Sequence, residues 1–92
     1  MLKSKDRAAL RAMANGLPAI LNLGKEGITP EFTKSVAEAL AARELVKLNI
    51  LQSCEIDPRD AASTLSGRTG SHVVQVIGRK FVLYKKKPKK GA

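Results

Sequence analysis

A single α/β (α+β) domain with the order α-β-α-β-α-β-β and a mixed four-stranded sheet is the fold this 92-residue chain predicts. Three stretches predict it. Phe32, Val36, Ala39 and Leu40 recur at helical spacing. Leu45-Val46-Lys47-Leu48-Asn49-Ile50 alternates with strand period, Val46, Leu48 and Ile50 inward and Lys47 and Asn49 outward. Residues 73–77 and 80–85 are β-branched and aromatic runs split by Gly78-Arg79, a pair suited to a two-residue II′ hairpin turn with glycine first.

The first helix is expected over about residues 5–15, capped by Ser4 and stopped at Asn15-Gly16. Leu10, Met13 and Ala14 fall near one face, and Lys5, Arg7 and Arg11 face out. Gly16-Leu17-Pro18 turns into a strand over 19–23, and the G-x-x-G segment Gly24-Lys25-Glu26-Gly27 follows. Thr29 reads as the N-cap of a second helix over about 30–42, with Pro30 in its first turn and Glu31 beside it. Free N–H groups and the positive dipole end would then stand near Lys25 and welcome a phosphate. A plain strand-to-helix turn fits the same glycines, and an isolated G-x-x-G does not separate the two.

Asp57-Pro58 opens a third helix that carries Ala61, Ala62 and Leu65 and is expected to break at Gly67. A second G-x-x-G, Gly67-Arg68-Thr69-Gly70, would link it to a hairpin with a basic tip. Residues 1–85 form the domain, and the lysine-rich stretch 86–92, with no apolar content to bury, is expected to be a flexible tail. Helical crossovers favour parallel neighbours, while the hairpin is antiparallel. The last two strands are apolar on both faces, which predicts that the first helix covers part of the face the other helices leave open.

Charge is the strongest compositional signal. The net charge is +9; residues 1–60 carry nine Lys/Arg against eight Asp/Glu, and residues 61–92 carry eight Lys/Arg and no acid. Such a one-signed field gathers polyanions, nucleic acid first and an anionic membrane surface second. A membrane role lacks an amphipathic helix with bulky anchors near the lysines, and no apolar stretch approaches the roughly 20 residues of a span. The basic N-terminus leads into a charged segment, not a secretory h-region, so a cytoplasmic location is expected.

Cys54, the one cysteine, has no partner for a disulfide or a metal and suits a small core or strand-end position. His72 reads as an exposed turn residue. No set of catalytic, metal-ligating or cofactor-binding residues converges, so no enzyme, no cofactor and no small-molecule substrate are expected. The second helix mixes Glu31, Lys34 and Glu38, unlike a helix that reads the major groove. Aromatics are sparse, namely Phe32, Phe81 and Tyr84, which favours recognition by backbone and shape over base stacking. A protein-interaction or DNA-binding module with a basic solubility tail is the alternative.

Three blocks in order resemble the YhbY-like, or CRM-domain, proteins, small bacterial ribosome-associated RNA-binding proteins whose domain recurs in plant organellar splicing factors. They are Leu23-Gly24-Lys25-Glu26-Gly27-Ile28-Thr29, Glu44-Leu45-Val46-Lys47-Leu48, and Thr69-Gly70 followed by the run from Val74 to Tyr84. The resemblance covers nearly the whole chain. It implies a fold similar to the C-terminal domain of bacterial translation initiation factor three. It also implies binding to structured RNA, ribosomal RNA in a precursor of the large subunit; a monomer is expected. The family's G-x-x-G falls on Gly24 and Gly27 around Lys25, and its outward strand lysine on Lys47. Arg68, Arg79, Lys80, Lys85, Lys86 and Lys87 of the basic last third complete the candidate RNA contacts.

Overall fold

The computed structural model describes residues 4–86. In chain order it holds α1 (Ser4–Ala14), β1 (Leu21–Leu23), α2 (Pro30–Arg43), β2 (Leu45–Ile50), α3 (Pro58–Thr69), β3 (His72–Ile77) and β4 (Lys80–Tyr84). The element order and the mixed four-stranded sheet are those expected. Strand order is β1-β2-β4-β3. β1 and β2, joined through α2, run parallel, and the other neighbours are antiparallel. β4 thus separates β2 from β3, and among the described residues β1 and β3 are the free edges.

The sheet has two unequal cores. Toward α2 and α3 lie the fully buried Leu23, Val36, Leu40, Val46, Leu48, Leu65, Phe81 and Leu83. On the other face Ala14 of α1, with Leu10 and Leu17 beside it, covers Leu45, Val74 and Val82. The first helix therefore does cover part of the second face. It does so with Ala14 and Leu10; Met13, expected among the inward residues, is 62% exposed. The outer face of β2 is accordingly not wholly polar, since Leu45 at its start is buried there.

Caps decide several boundaries. Thr29 is extended and its Oγ1 accepts the Phe32 N–H at 3.0 Å, while Asp57 accepts the Arg59 N–H at 2.9 Å. Ser4, expected as the cap of α1, lies within the helix, which is described from that residue. β1 spans only Leu21–Leu23, shorter than expected, because Ile20 contributes one N–H to the Lys47 carbonyl and its neighbours pair no further.

α3 does not break at Gly67. It continues to Thr69, whose side chain is 6% exposed and donates to the Leu65 carbonyl at 2.7 Å. Burial of Thr69 one turn after Leu65 outweighs the helix penalty of glycine, about 1 kcal/mol. The true stop is Gly70, left-handed at φ 69, from which its own N–H and that of Ser71 return to the Ser66 carbonyl. The second G-x-x-G is thus the last turn of a helix. His72 opens β3 opposite Tyr84 and is exposed in a strand, not in a turn.

The hairpin turn has Gly78 at φ 56 and a negative φ at Arg79, the II′ pattern, with Ile77 and Lys80 paired across it. A bulge between Val73 and Gln75 resets the alternation. With that extra residue, Val73 and Val76 both pack on the α2–α3 side.

Candidate nucleic-acid interface

The G-x-x-G segment is a four-residue turn in which the Gly27 N–H donates to the Gly24 carbonyl at 3.0 Å. Lys25 and Glu26 take the two central positions with negative φ and are exposed, as in a type I turn. Gly27 has φ 74, and a β-carbon there would stand 3.3 Å from Ile56 Cδ1, so the position suits glycine on conformation and space alike. Clefts flank the turn on two sides. One runs to Ser53, Cys54 and Ile56 of the segment after β2, the other to Asn22, Thr29 and Phe32.

The start of α2 is less open than its sequence suggests. Thr29 Oγ1 takes the Phe32 N–H, its carbonyl takes the Thr33 N–H at 2.9 Å, and Pro30 has none. Glu31 is the first-turn amide this leaves for an anion, where several free N–H groups were expected.

Beside the turn lies the half of the sheet that α1 leaves uncovered. Register places Asn22, Asn49, Lys80 and Ile77 in one row across all four strands, pointing away from α2 and α3. The Asn49 amide donates to Asn22 Oδ1 at 3.2 Å. Lys47, paired with Val82, is a diagonal neighbour of Lys80 on the same face. The Asn22 side of this row opens into the cleft at Lys25. One continuous polar surface therefore runs from the turn across β1, β2 and β4, and ends at the exposed Ile77 on β3. Lys25, Lys47 and Lys80 supply its positive charge, and Glu26, with Glu55 across the cleft beside Lys25, offsets part of it.

Arg79 shares this end of the molecule and is exposed, but its guanidinium is bound to backbone carbonyls. Nε donates to the Ile50 carbonyl at 3.0 Å, and Nη2 to those of Leu51 and Cys54 at 2.7 and 3.1 Å. At the basic tip of the hairpin, Arg79 also acts as a clamp that ties the hairpin to the segment after β2, while the residue stays exposed and Lys80 beside it is exposed as well. That segment also holds the turn, because the Leu51 N–H donates to the Leu23 carbonyl and its Cδ1 lies 3.5 Å from the β-carbon position of Gly24.

The remaining candidates sit elsewhere. Lys85 and Lys86 follow the end of β4, which pairs with the start of β2, so they lie at the opposite pole, about 17 Å along the strands. Lys85 Nζ donates to the Thr69 carbonyl at 2.9 Å and finishes α3, where Arg68 is exposed on the last turn. Lys87 lies outside the described residues. Sequence reasoning missed Asn22 and gave Asn49 only a direction; their partnership depends on strand register, which no local pattern carries. Of the aromatics, Phe81 is fully buried, while Phe32 and Tyr84 pack against the two cores.

Among the described residues no group of His, Cys, Asp or Glu is arranged to hold a metal ion, and no helix is long and apolar enough to cross a membrane. Residues 2–85 match the CRS1 / YhbY (CRM) domain family. The chain is 45% identical over 85 residues to the Bacillus subtilis "Probable RNA-binding protein YqeI", covering 92% of this chain and 88% of that protein. It is 25% identical over 88 residues to the Pseudomonas aeruginosa "Probable RNA-binding protein PA4753", covering 96% and 85% respectively. The solution structure of the hypothetical protein SAV1595 from Staphylococcus aureus, described as a candidate RNA binding protein, superposes with a TM-score of 0.82. It shares 37% identity, with 98% of this chain and 94% of that chain covered.

Proposed function

The chain belongs to the CRS1 / YhbY (CRM) domain family, and on that premise we propose that it is a non-catalytic protein that binds structured RNA. The observation that carries the reading is the open sheet face beside the G-x-x-G turn. Lysines at the turn and on two neighbouring strands, with an asparagine pair between them, offer donors to phosphates and sugar hydroxyls over one continuous surface. Relatives named for RNA binding support the same partner. Buried or packed aromatics leave little for base stacking, which fits recognition of an RNA by its shape and backbone. We further place its action on a precursor of the large ribosomal subunit, in ribosome assembly.

The test pairs crosslinking in cells, followed by sequencing of the bound RNA, with sedimentation on a ribosome gradient. Large-subunit ribosomal RNA in the crosslinked pool and co-sedimentation with pre-large-subunit particles are the expected results. Crosslinks to other RNA, with the protein at the top of the gradient, would retain RNA binding and remove the ribosomal role. Equal affinity of the purified protein for duplex DNA and for structured RNA of matched length would favour a general polyanion binder instead.

A further inference from the structure

The edge of the sheet farthest from the G-x-x-G turn carries a second basic groove. It follows β3 as an open groove of about 890 Å³, floored by residues 73–77 and walled by Arg7 and Arg11 of α1 on one side and by Arg59 and Ser66 of α3 on the other, with Ser71 and His72 at one end. All three arginines are exposed. Among the described residues no carboxylate lines it, although Asp6 and Asp60 are the chain neighbours of Arg7 and Arg59. From this geometry we propose that the groove along the β3 edge is a second seat for the RNA phosphate backbone, reached from the surface at the turn across Lys80 and Ile77. The inference rests on the RNA-binding reading above and extends it to where else the RNA lies.

Arg7 and Arg11 are one helical turn apart, so their side chains leave α1 from the same face and present neighbouring cations. Guanidinium groups are donors only and match phosphate oxygens in a planar fork. With Arg59 across the groove, a strand of phosphates would meet cations on two sides. The other occupant such an edge invites is an acidic peptide that adds a strand to β3. The bulge between Val73 and Gln75 argues against that, because it breaks the regular run of edge N–H and C=O groups an added strand needs. The edges of a four-stranded sheet are about 14 Å apart, so an RNA seated at the turn and in the groove must cross the domain. Two such sites on one ligand act by avidity.

The experiment uses the full chain and a stem-loop RNA with a stem of about 16 base pairs. In R7Q/R11Q, the logarithmic salt slope should be shallower by about 1.4 to 1.8, two phosphate contacts' worth, with affinity at low salt down on the order of tenfold. Adding R59Q should take the slope down by about one contact more. Zero-length crosslinks from the unmodified protein should map to α1 or β3 as well as to the turn. If the parent binds the RNA but the triple variant keeps its affinity and slope, or crosslinks stay confined to residues 22–27, the groove is not an RNA seat and the proposed function stands. If polyglutamate binds the parent and not the triple variant while RNA affinity is unchanged, the seat belongs to an acidic peptide. A parent that binds no RNA removes the proposed function, and the groove proposal with it.

Discussion

Lys25 and Glu26 stand side by side at the tip of one turn with opposite charges, which makes the contribution of that turn separable residue by residue. Lys25→Glu should keep the fold, since the side chain is exposed and supports no packing, and lower RNA affinity on the order of tenfold. Glu26→Gln should raise affinity severalfold by removing a repulsion from phosphate. Gel shift or fluorescence anisotropy with circular dichroism checks both, and parent-like binding by the two variants would reduce the segment to a connection. Gly27→Asp is a poorer probe, because φ 74 and the nearby Ile56 penalise any side chain before RNA is present. Arg79 answers differently. Its bonds to three carbonyls hold the hairpin against the segment that supports the turn. Arg79→Ala should cost about 1–3 kcal/mol, and Arg79→Lys should recover little, since an ammonium cannot reproduce the fork. Thermal denaturation of both variants decides; an unchanged Tm would mean that the clamp is idle.

At the level of elements, two residues stand against local preference, and each has an identifiable cause. Gly67 lies inside α3 because Leu65 and Thr69 anchor the turns on either side of it. Its β-carbon position has nothing within 4 Å. Gly67→Ala should therefore stabilise the protein by about 0.8–1 kcal/mol, read as a rise in denaturation midpoint with the urea slope unchanged. Glu44 is the sole residue between α2 and β2 and carries φ 64, a conformation few side chains adopt. Its N–H is fixed to the Leu40 carbonyl at 2.8 Å and its carbonyl to the Lys85 N–H at 2.9 Å, so the chain has no room to relax. Glu44→Gly should relieve strain and stabilise by about 1 kcal/mol; a loss of stability in chemical denaturation would show instead that the glutamate side chain outweighs the strain.

Across the whole molecule, the basic residues are sorted by pole and by job. Lys25, Lys47 and Lys80 surround one open surface, Arg79 at the same end binds backbone carbonyls through Nε and Nη2, and Lys85 finishes a helix at the other. The net charge of +9 therefore overstates the number of phosphates one RNA can meet. With four to six contacts, the logarithmic salt slope of RNA binding should be about −3 to −5. Titration from low to high salt measures it, and a slope near zero would rule out an electrostatic complex. Lys80→Ala should lower the slope by about one contact, whereas Lys85→Ala should chiefly loosen the end of α3.

Local pattern was enough for whatever depended on neighbours in the chain. The stripe Phe32, Val36, Ala39 and Leu40, the alternation from Val46 to Ile50, the caps at Thr29 and Asp57 and the turn at Gly78-Arg79 all follow from periodicity and backbone preference. The element order followed with them. Contacts distant in sequence settled the rest. The length of α3 turned on the burial of Thr69, the exposure of Met13 on how α1 crosses the sheet, and the row Asn22-Asn49-Lys80 on strand order and register. A composition count treats every cation alike, but Arg79 and Lys85 found backbone carbonyls within reach only once distant segments had packed together. Which charges remain for a ligand is decided by the fold, because hydrogen-bond partners are set by three-dimensional proximity and not by position in the chain.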